Sequence, residues 1–172
     1  MMMGREALVC MADYHVWAHN TLLSALHQVS DADLHADVGL FFTSIFGTLN
    51  HMLVGEARLW YPRFAEQASP RMALNQIVET DRQLLCLQLQ QSALQWQTFV
   101  AGLPSDAALP SHLEYVSSAG VPFRLPYAAT LLHVFNHATH HRGQITAGLT
   151  ALGYPCPELD LVYMLQQQSA KI

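Results

Sequence analysis

The sequence is poor in charge. Asp, Glu, Lys and Arg make up 12% of its 172 residues, against roughly 25% in an average globular chain. Hydrophobic residues reach 51%, so intrinsic disorder, which requires high charge and little apolar material, is excluded. Basic residues are scarcer still. Eight Lys plus Arg against thirteen Asp plus Glu give a net charge of −5 with histidine neutral. Binding a phosphate backbone takes the opposite excess, so nucleic acid is not an expected partner. No apolar run approaches the roughly 18 residues that span a bilayer, so no membrane is expected either. The opening residues lack a signal-peptide layout, because the apolar stretch from Ala7 to Ala12 is short and leads into Asp13. Three cysteines, Cys10, Cys86 and Cys156, are widely separated and form no CxxC pair. A disulfide framework is therefore not expected, and the cytoplasm is the expected location. No repeat, linker or shift in composition divides the chain, and residues 1–172 are expected to form a single domain.

What the sequence has instead is helical periodicity. Leu8, Met11, His15, Ala18, Leu22 and Ala25 recur at steps of three and four, which predicts an amphipathic helix over about residues 6–29. Ser30 to Asp33 breaks it and suits the cap of a short turn. A second helix is expected from Thr43 or Ser44 to about Phe64, apolar on most sides and so buried. A third is expected over about residues 71–101, with Leu74, Ile77, Val78, Leu85, Trp96 and Phe99 inside and Gly102 and Pro104 ending it. Residues 112–126 alternate loosely around Gly120 and suit a short hairpin, with Pro122 confining its strand to an edge. The fourth helix is expected from Pro126 or Tyr127 to about Leu152, stopped by Gly153 and Pro155. A last short helix is expected over residues 160–168. The fold class is all-α: an antiparallel four-helix bundle with a hairpin inserted between helices three and four.

The chain also holds ten histidines, more than its Lys and Arg together. Four fall in one stretch of the fourth helix: His133, His137, His140 and His141. Side chains four apart lie one turn apart on one face, near enough for two imidazoles to hold one ion. His133/His137 and His137/His141 both meet that spacing, and His137/His140 meets the looser spacing of three. His133 and His141 are about 12 Å apart along the axis at 1.5 Å per residue, so all three do not share one metal. Geometry alone leaves the choice of pair open. The second helix adds His51, flanked by apolar residues and lying on its Thr48/Gly55 side. Two histidines from one helix and one from a neighbour make a three-nitrogen site with open positions, the arrangement of catalytic rather than structural zinc. Ala138 stands where the glutamate of an H-E-x-x-H motif would be, which disfavours zincin-type peptide hydrolysis. Glu56, Asp13, Glu114 and His133 are the candidate proton carriers. Gln144 is a candidate to orient a ligand or substrate, and Arg142 to pair with a carboxylate across the dimer or to bind an anionic substrate, the salt bridge being favoured. Gly143 reads as a close helix approach, the cysteines as packing residues, and Trp17 and Trp60 as core.

Three stretches resemble the DinB/YfiT-like family of metal-dependent proteins. They are Tyr14-His15-Val16-Trp17-Ala18-His19-Asn20, then Ser44 to His51 with Glu56 and Trp60, and Asn136-His137-Ala138-Thr139-His140-His141-Arg142-Gly143-Gln144, followed by Leu152-Gly153. His19-Asn20 departs from the family, which more often carries a polar or basic pair there. The resemblance implies that the metal ligands fall on His51, His137 and His141, which decides between the pairs. It also implies a bundle with non-sequential helix order, one divalent ion such as zinc or nickel, and a homodimer. Relatives of this fold include transferases that use a low-molecular-weight thiol. The expected function is a metal-dependent enzyme acting on a small-molecule substrate, as a thiol-dependent transferase or a hydrolase. The alternative is a non-catalytic metal-binding protein of a stress response.

Overall fold

The computed structural model describes residues 4–170. The chain is mostly helical and carries one two-stranded sheet. Helix α1 (Arg5–Leu26) is followed by the short α2 (Asp31–His35), whose cap Ser30 accepts from the Asp33 amide. Helix α3 (Ile45–Leu53) begins at Ser44, whose hydroxyl accepts from the Gly47 amide and so satisfies one orphan donor of the first turn. The sequence predicts one helix from here to Phe64. The chain instead widens into a π-helical stretch, Val54–Trp60, before closing as α4 (Tyr61–Ala65).

The third predicted helix forms only in part. α5 runs over Arg82–Ala101, started by Asp81, whose carboxylate accepts from the Leu84 amide. Residues 67–81 form no helix. Leu74 and Ile77, expected inside, are 49% and 47% exposed. The cause lies on α3. Asn50 is fully buried, and its Oδ1 accepts from the amides of Val78 and Glu79 at 2.9 and 3.0 Å. Those amides are thereby withdrawn from any helical ladder, and the segment lies extended over α3.

Strands β1 (His112–Val116) and β2 (Pro122–Pro126) pair antiparallel with Glu114 opposite Arg124, as the alternation around Gly120 predicts. α6 (Tyr127–Ala151) follows directly, and Gly153 takes the left-handed conformation at φ +79° that ends it. The last helix, α7, spans Leu161–Ser169. Gly143 does not serve a close approach, since a Cβ there would meet nothing within 4 Å; that role falls to Gly148, where it would come within 3.2 Å of Ile45.

α1 packs against both α5 and α6, and α3 packs against the same two helices. Apolar residues gather in two main clusters. One joins Leu22 and Leu26 of α1 to Leu49, Leu53, Leu85 and Leu149. The other joins Leu8 and Ala12 of α1 to Trp96, Leu131 and Phe135. Between them the same helices turn polar, with His15, His19, Glu56, His141 and Arg142 buried. Burial of the two apolar clusters drives the helices together. That packing carries a belt of polar side chains into the interior, where each must find a partner.

Candidate metal centre

The belt holds two triads of possible ligands, His51/His137/His141 and His15/His19/Glu56. In the first, His51 comes from the last turns of α3 and the other two from successive turns of α6. The Thr48/Gly55 side of the second helical stretch is the one that meets α6. A Cβ at Gly55 would lie 3.3 Å from His137 Cε1, so the absence of a side chain there lets the ring approach. His51 and His141 are 4% and 5% exposed, and His137 is partly buried.

The far ring nitrogens fix the tautomers. His51 Nδ1 stands 2.7 Å from the Leu74 carbonyl oxygen, which can only accept. His141 Nδ1 donates to Gln144 Oε1 at 2.8 Å. Both rings therefore carry their proton on Nδ1 and present a bare Nε2. Those two atoms lie 3.2 and 3.1 Å from His137 Nε2. At most one proton, on His137 Nε2, is available for this cluster, so at least one lone pair has no partner within it. A cation resolves that. Two nitrogens each about 2.0–2.1 Å from a common tetrahedral ion are about 3.3 Å apart, close to the spacing found. Phe42 stacks on His51 with ring centroids 3.8 Å apart and holds its plane.

The rings are kept neutral, as ligation requires. Burial, reinforced by His141, His51 and His133, lowers His137 to about 3. Burial lowers His141 to about 4, although its bond to Gln144 works the other way. Burial lowers His51 as well, against the effect of the Leu74 carbonyl. One side of the triad opens into a cavity of about 340 Å³ between the metal face and the hairpin, walled by Trp60, Arg63, Leu74, Tyr115 and His133 among others.

The other expected residues separate. His133 lines the cavity, its ring centroid 5.5 Å from that of His137. His140 is exposed beside Gln144. Asp13 accepts from Gln97, and Glu114 pairs with Arg124 on the surface. Arg142 has no carboxylate within 4.0 Å among the described residues, and donates instead to Thr139 at 2.9 Å. The three cysteines are free thiols. Trp60 packs against the cluster of Phe64 and Trp96 and lines the cavity as well.

Glu56 lies in the second triad, unnoticed in the sequence although His15 and His19 repeat the spacing of four. His15 Nε2 and His19 Nε2 stand 3.3 and 3.2 Å from Glu56 Oε2, and all three residues are no more than 1% exposed. Arg63 also escaped notice; its arginine carries no periodic signal, and only the π-helical stretch and the hairpin bring it to the cavity.

A mostly helical protein whose interior gathers three neutral imidazole nitrogens beside a cavity is the class defined so far. The chain belongs to the DinB family, whose model matches residues 3–171. It is similar to Protein DinB of Bacillus subtilis (strain 168), 24% identical in an alignment 171 positions long that spans 92% of this chain and 94% of that protein.

Proposed function

We propose that the protein is a metal-dependent enzyme that binds one divalent ion, zinc or nickel, on His51, His137 and His141 and acts on a small molecule entering through the adjoining cavity. One observation carries this reading: the Nδ1 atoms of His51 and His141 are both engaged by acceptors, leaving bare Nε2 atoms around His137 Nε2. A divalent ion on three neutral rings keeps its full charge and acidifies a bound water or thiol. The chain's own residues supply the rest. Gln144 and the Leu74 carbonyl orient two of the rings. Trp60, Leu59 and Leu74 give the cavity apolar walls that limit water. His133, exposed at the edge of the cavity with its ring centroid 5.5 Å from that of His137, is placed to accept a proton from a group bound there. Glu56 is committed to His15 and His19 and is not available as a base.

The reaction favoured is transfer from a low-molecular-weight thiol to an electrophile, with hydrolysis as the other outcome of the same activated nucleophile. In this reading the long helices form an antiparallel four-helix bundle, and the protein works in the cytoplasm as a homodimer. The test begins with metal reconstitution and elemental analysis, expected to give one ion per chain, lost in His51→Ala and His137→Ala. Loaded protein is then incubated with a panel of thiols and electrophiles. Conjugation or hydrolysis that disappears in both variants supports the enzyme. Bound metal without turnover for any pair favours a metal-binding protein with no reaction, and no bound metal overturns both.

A further inference from the structure

Arg63 is the side chain that the metal reading leaves without a purpose. It is 5% exposed, and its guanidinium forms no ion pair within 4.0 Å among the described residues. Among the described residues its Nε has no hydrogen-bond partner, and its only hydrogen bond is from Nη2 to the Val116 carbonyl, at a long 3.4 Å. The group is gripped instead by two rings, with its central carbon 4.6 Å from the centroids of both Trp60 and Tyr115. Stacking offsets part of the cost of burying a guanidinium and fixes its plane. It provides no acceptor for the donors at the edge of that plane. A buried cation left in that state is costly, and an entering anion recovers the cost.

The surroundings have the same bias. Arg63 walls the cavity that His51 and His137 also wall, which no Asp or Glu lines, and also a second hollow whose Glu114 is paired with Arg124. This holds in a chain whose net charge is −5. A second guanidinium, that of Arg71, lies against Gly120 at the tip of the hairpin, whose Ser117, Ser118 and Ala119 form part of the cavity wall. With a divalent ion on three uncharged rings, the cavity holds positive charge at two points and compensates neither.

We propose that Arg63 is the anion-binding subsite of this cavity, and that the substrate is a small organic anion whose carboxylate, phosphate or sulfonate meets Arg63 while its reacting group meets the metal. The assignment rests on the three-histidine metal reading. It narrows the substrate to molecules short enough for about 340 Å³, near the lower end of ligand cavities. The body between the two ends lies along Trp60 and Leu59, so it is apolar. The planar guanidinium offers parallel donors, which favours a bidentate oxyanion over a single charge.

The experiment uses cobalt(II)-loaded full-length protein and matched thiols, read by the thiolate-to-cobalt absorption band. 3-Mercaptopropionate and 2-mercaptoethanesulfonate carry the anion, and 3-mercaptopropan-1-ol is the neutral control. Charge-assisted hydrogen bonding in a desolvated site predicts at least about tenfold tighter binding of an anionic thiol over the neutral one. The tighter of the two anions names the preferred head group. Arg63→Gln, which keeps the stem between the two rings, is expected to abolish the preference with the cobalt spectrum unchanged, and Arg63→Lys to restore part of it. Equal affinity of wild-type protein for all three thiols, or a preference that persists in Arg63→Gln, overturns the subsite while leaving the metal centre standing. No cobalt uptake, or uptake that survives in His51→Ala, overturns the metal reading and the subsite with it.

Discussion

The two triads of the polar belt use nearly the same donors and reach opposite electrostatic solutions. Around His137 the far nitrogens of two rings are tied to acceptors, the Leu74 carbonyl and Gln144 Oε1, so the near nitrogens are bare and face a cavity. Around Glu56 the far nitrogens differ, that of His15 meeting a donor and that of His19 a carbonyl oxygen. Arg142 Nη1 lies 3.4 Å from His15 Nδ1 and 3.3 Å from His19 Nδ1. His15 Nδ1 accepts from it, so the ring's proton is on Nε2 and is directed at Glu56. His19 Nδ1 stands 3.0 Å from the His15 carbonyl, so this ring turns its Nε2 to the carboxylate. Burial works to raise the Glu56 carboxyl, yet the His19 and His15 rings hold it well below the usual carboxylate range. Burial, helped by His19, lowers His15 to about 4 and keeps it neutral. The lesson is that proximity of three ligating atoms does not define a metal site. What faces the near nitrogens does, a buried carboxylate in one triad and a cavity in the other.

Glu56→Ala provides the harshest test of that division. It removes the one carboxylate facing two buried imidazoles, with the Arg142 guanidinium also buried beside them, and a broken buried charge network costs about 3–5 kcal/mol. For a chain of this length each kcal/mol moves the melting temperature by roughly 2–4 °C, so a fall of about 10 °C is expected by calorimetry. Whatever remains folded should still take up one ion per chain. Loss of metal in this variant, or in the milder Glu56→Gln, would place Glu56 in the metal centre and dissolve the contrast.

Metal removal should be felt next. At a free ion concentration of a hundred times Kd, binding stabilises the native state by about 2.7 kcal/mol, equivalent to roughly 5–10 °C. Chelation is expected to lower the wild-type melting temperature by that much and to leave His137→Ala unmoved. Two ions per chain by elemental analysis would mean that the sealed triad exchanges its protons for metal after all.

Some of this arrangement could be read from the sequence because local chemistry decides it. Ser44 caps α3, Gly153 ends α6, and the turn at Gly120 closes the hairpin; each depends on its immediate neighbours. The spacing of His137 and His141 likewise fixes their shared face. The departures are tertiary. Residues 67–81 carry a helical pattern, but the buried carboxamide of Asn50 captures the Val78 and Glu79 amides. The π-helical stretch inserts its extra width between His51 and Arg63, a shift of face that a period of 3.6 cannot predict. His15 and His19 show the same interval as the candidate ligands of α6. Only the arrival of Arg142 and Glu56 from elsewhere in the chain gives that interval another meaning.

The two triads should also part company with pH. His137 and His141 titrate in the folded protein at about 3 and 4 instead of the ordinary 6.5, chiefly because they are buried. Between the two values the unfolded chain binds more protons than the native one, so stability rises with pH. It is complete above about 6.5 and is lost as the pH falls towards the folded values. His15, at about 4, adds to the slope in the same direction. Melting of metal-free protein between pH 7 and pH 5 should therefore show a falling temperature. Bound metal keeps the rings of His51, His137 and His141 deprotonated, so it leaves the fall between pH 7 and pH 5 in place and prolongs it below about 4, where metal-free His137 and His141 take up protons. A pH dependence below about 4 that is the same with and without metal would contradict the assignment of ligands.

The smallest effect lies one bond beyond the ligands, and it addresses the principle most directly. Gln144 accepts from His141 Nδ1 at 2.8 Å. Its amide nitrogen lies 3.2 Å from His140 on the exposed side of α6. Gln144→Ala removes the acceptor where water can replace it, so the loss in metal affinity should sit near the lower end of the tenfold to hundredfold range of such partners, about tenfold. Gln144→Glu is the sharper probe, because it gives the open triad a carboxylate of its own. In the sealed triad the carboxylate faces Nε2 and competes with a metal for that side of the ring. At position 144 it would face Nδ1, raise the basicity of the opposite nitrogen and tighten the metal. Competition titration with a chromophoric chelator measures both variants. If Gln144→Glu binds more weakly than wild type, the side of the ring on which the charge sits does not govern the outcome, and the distinction between the two triads would have to come from solvent access alone.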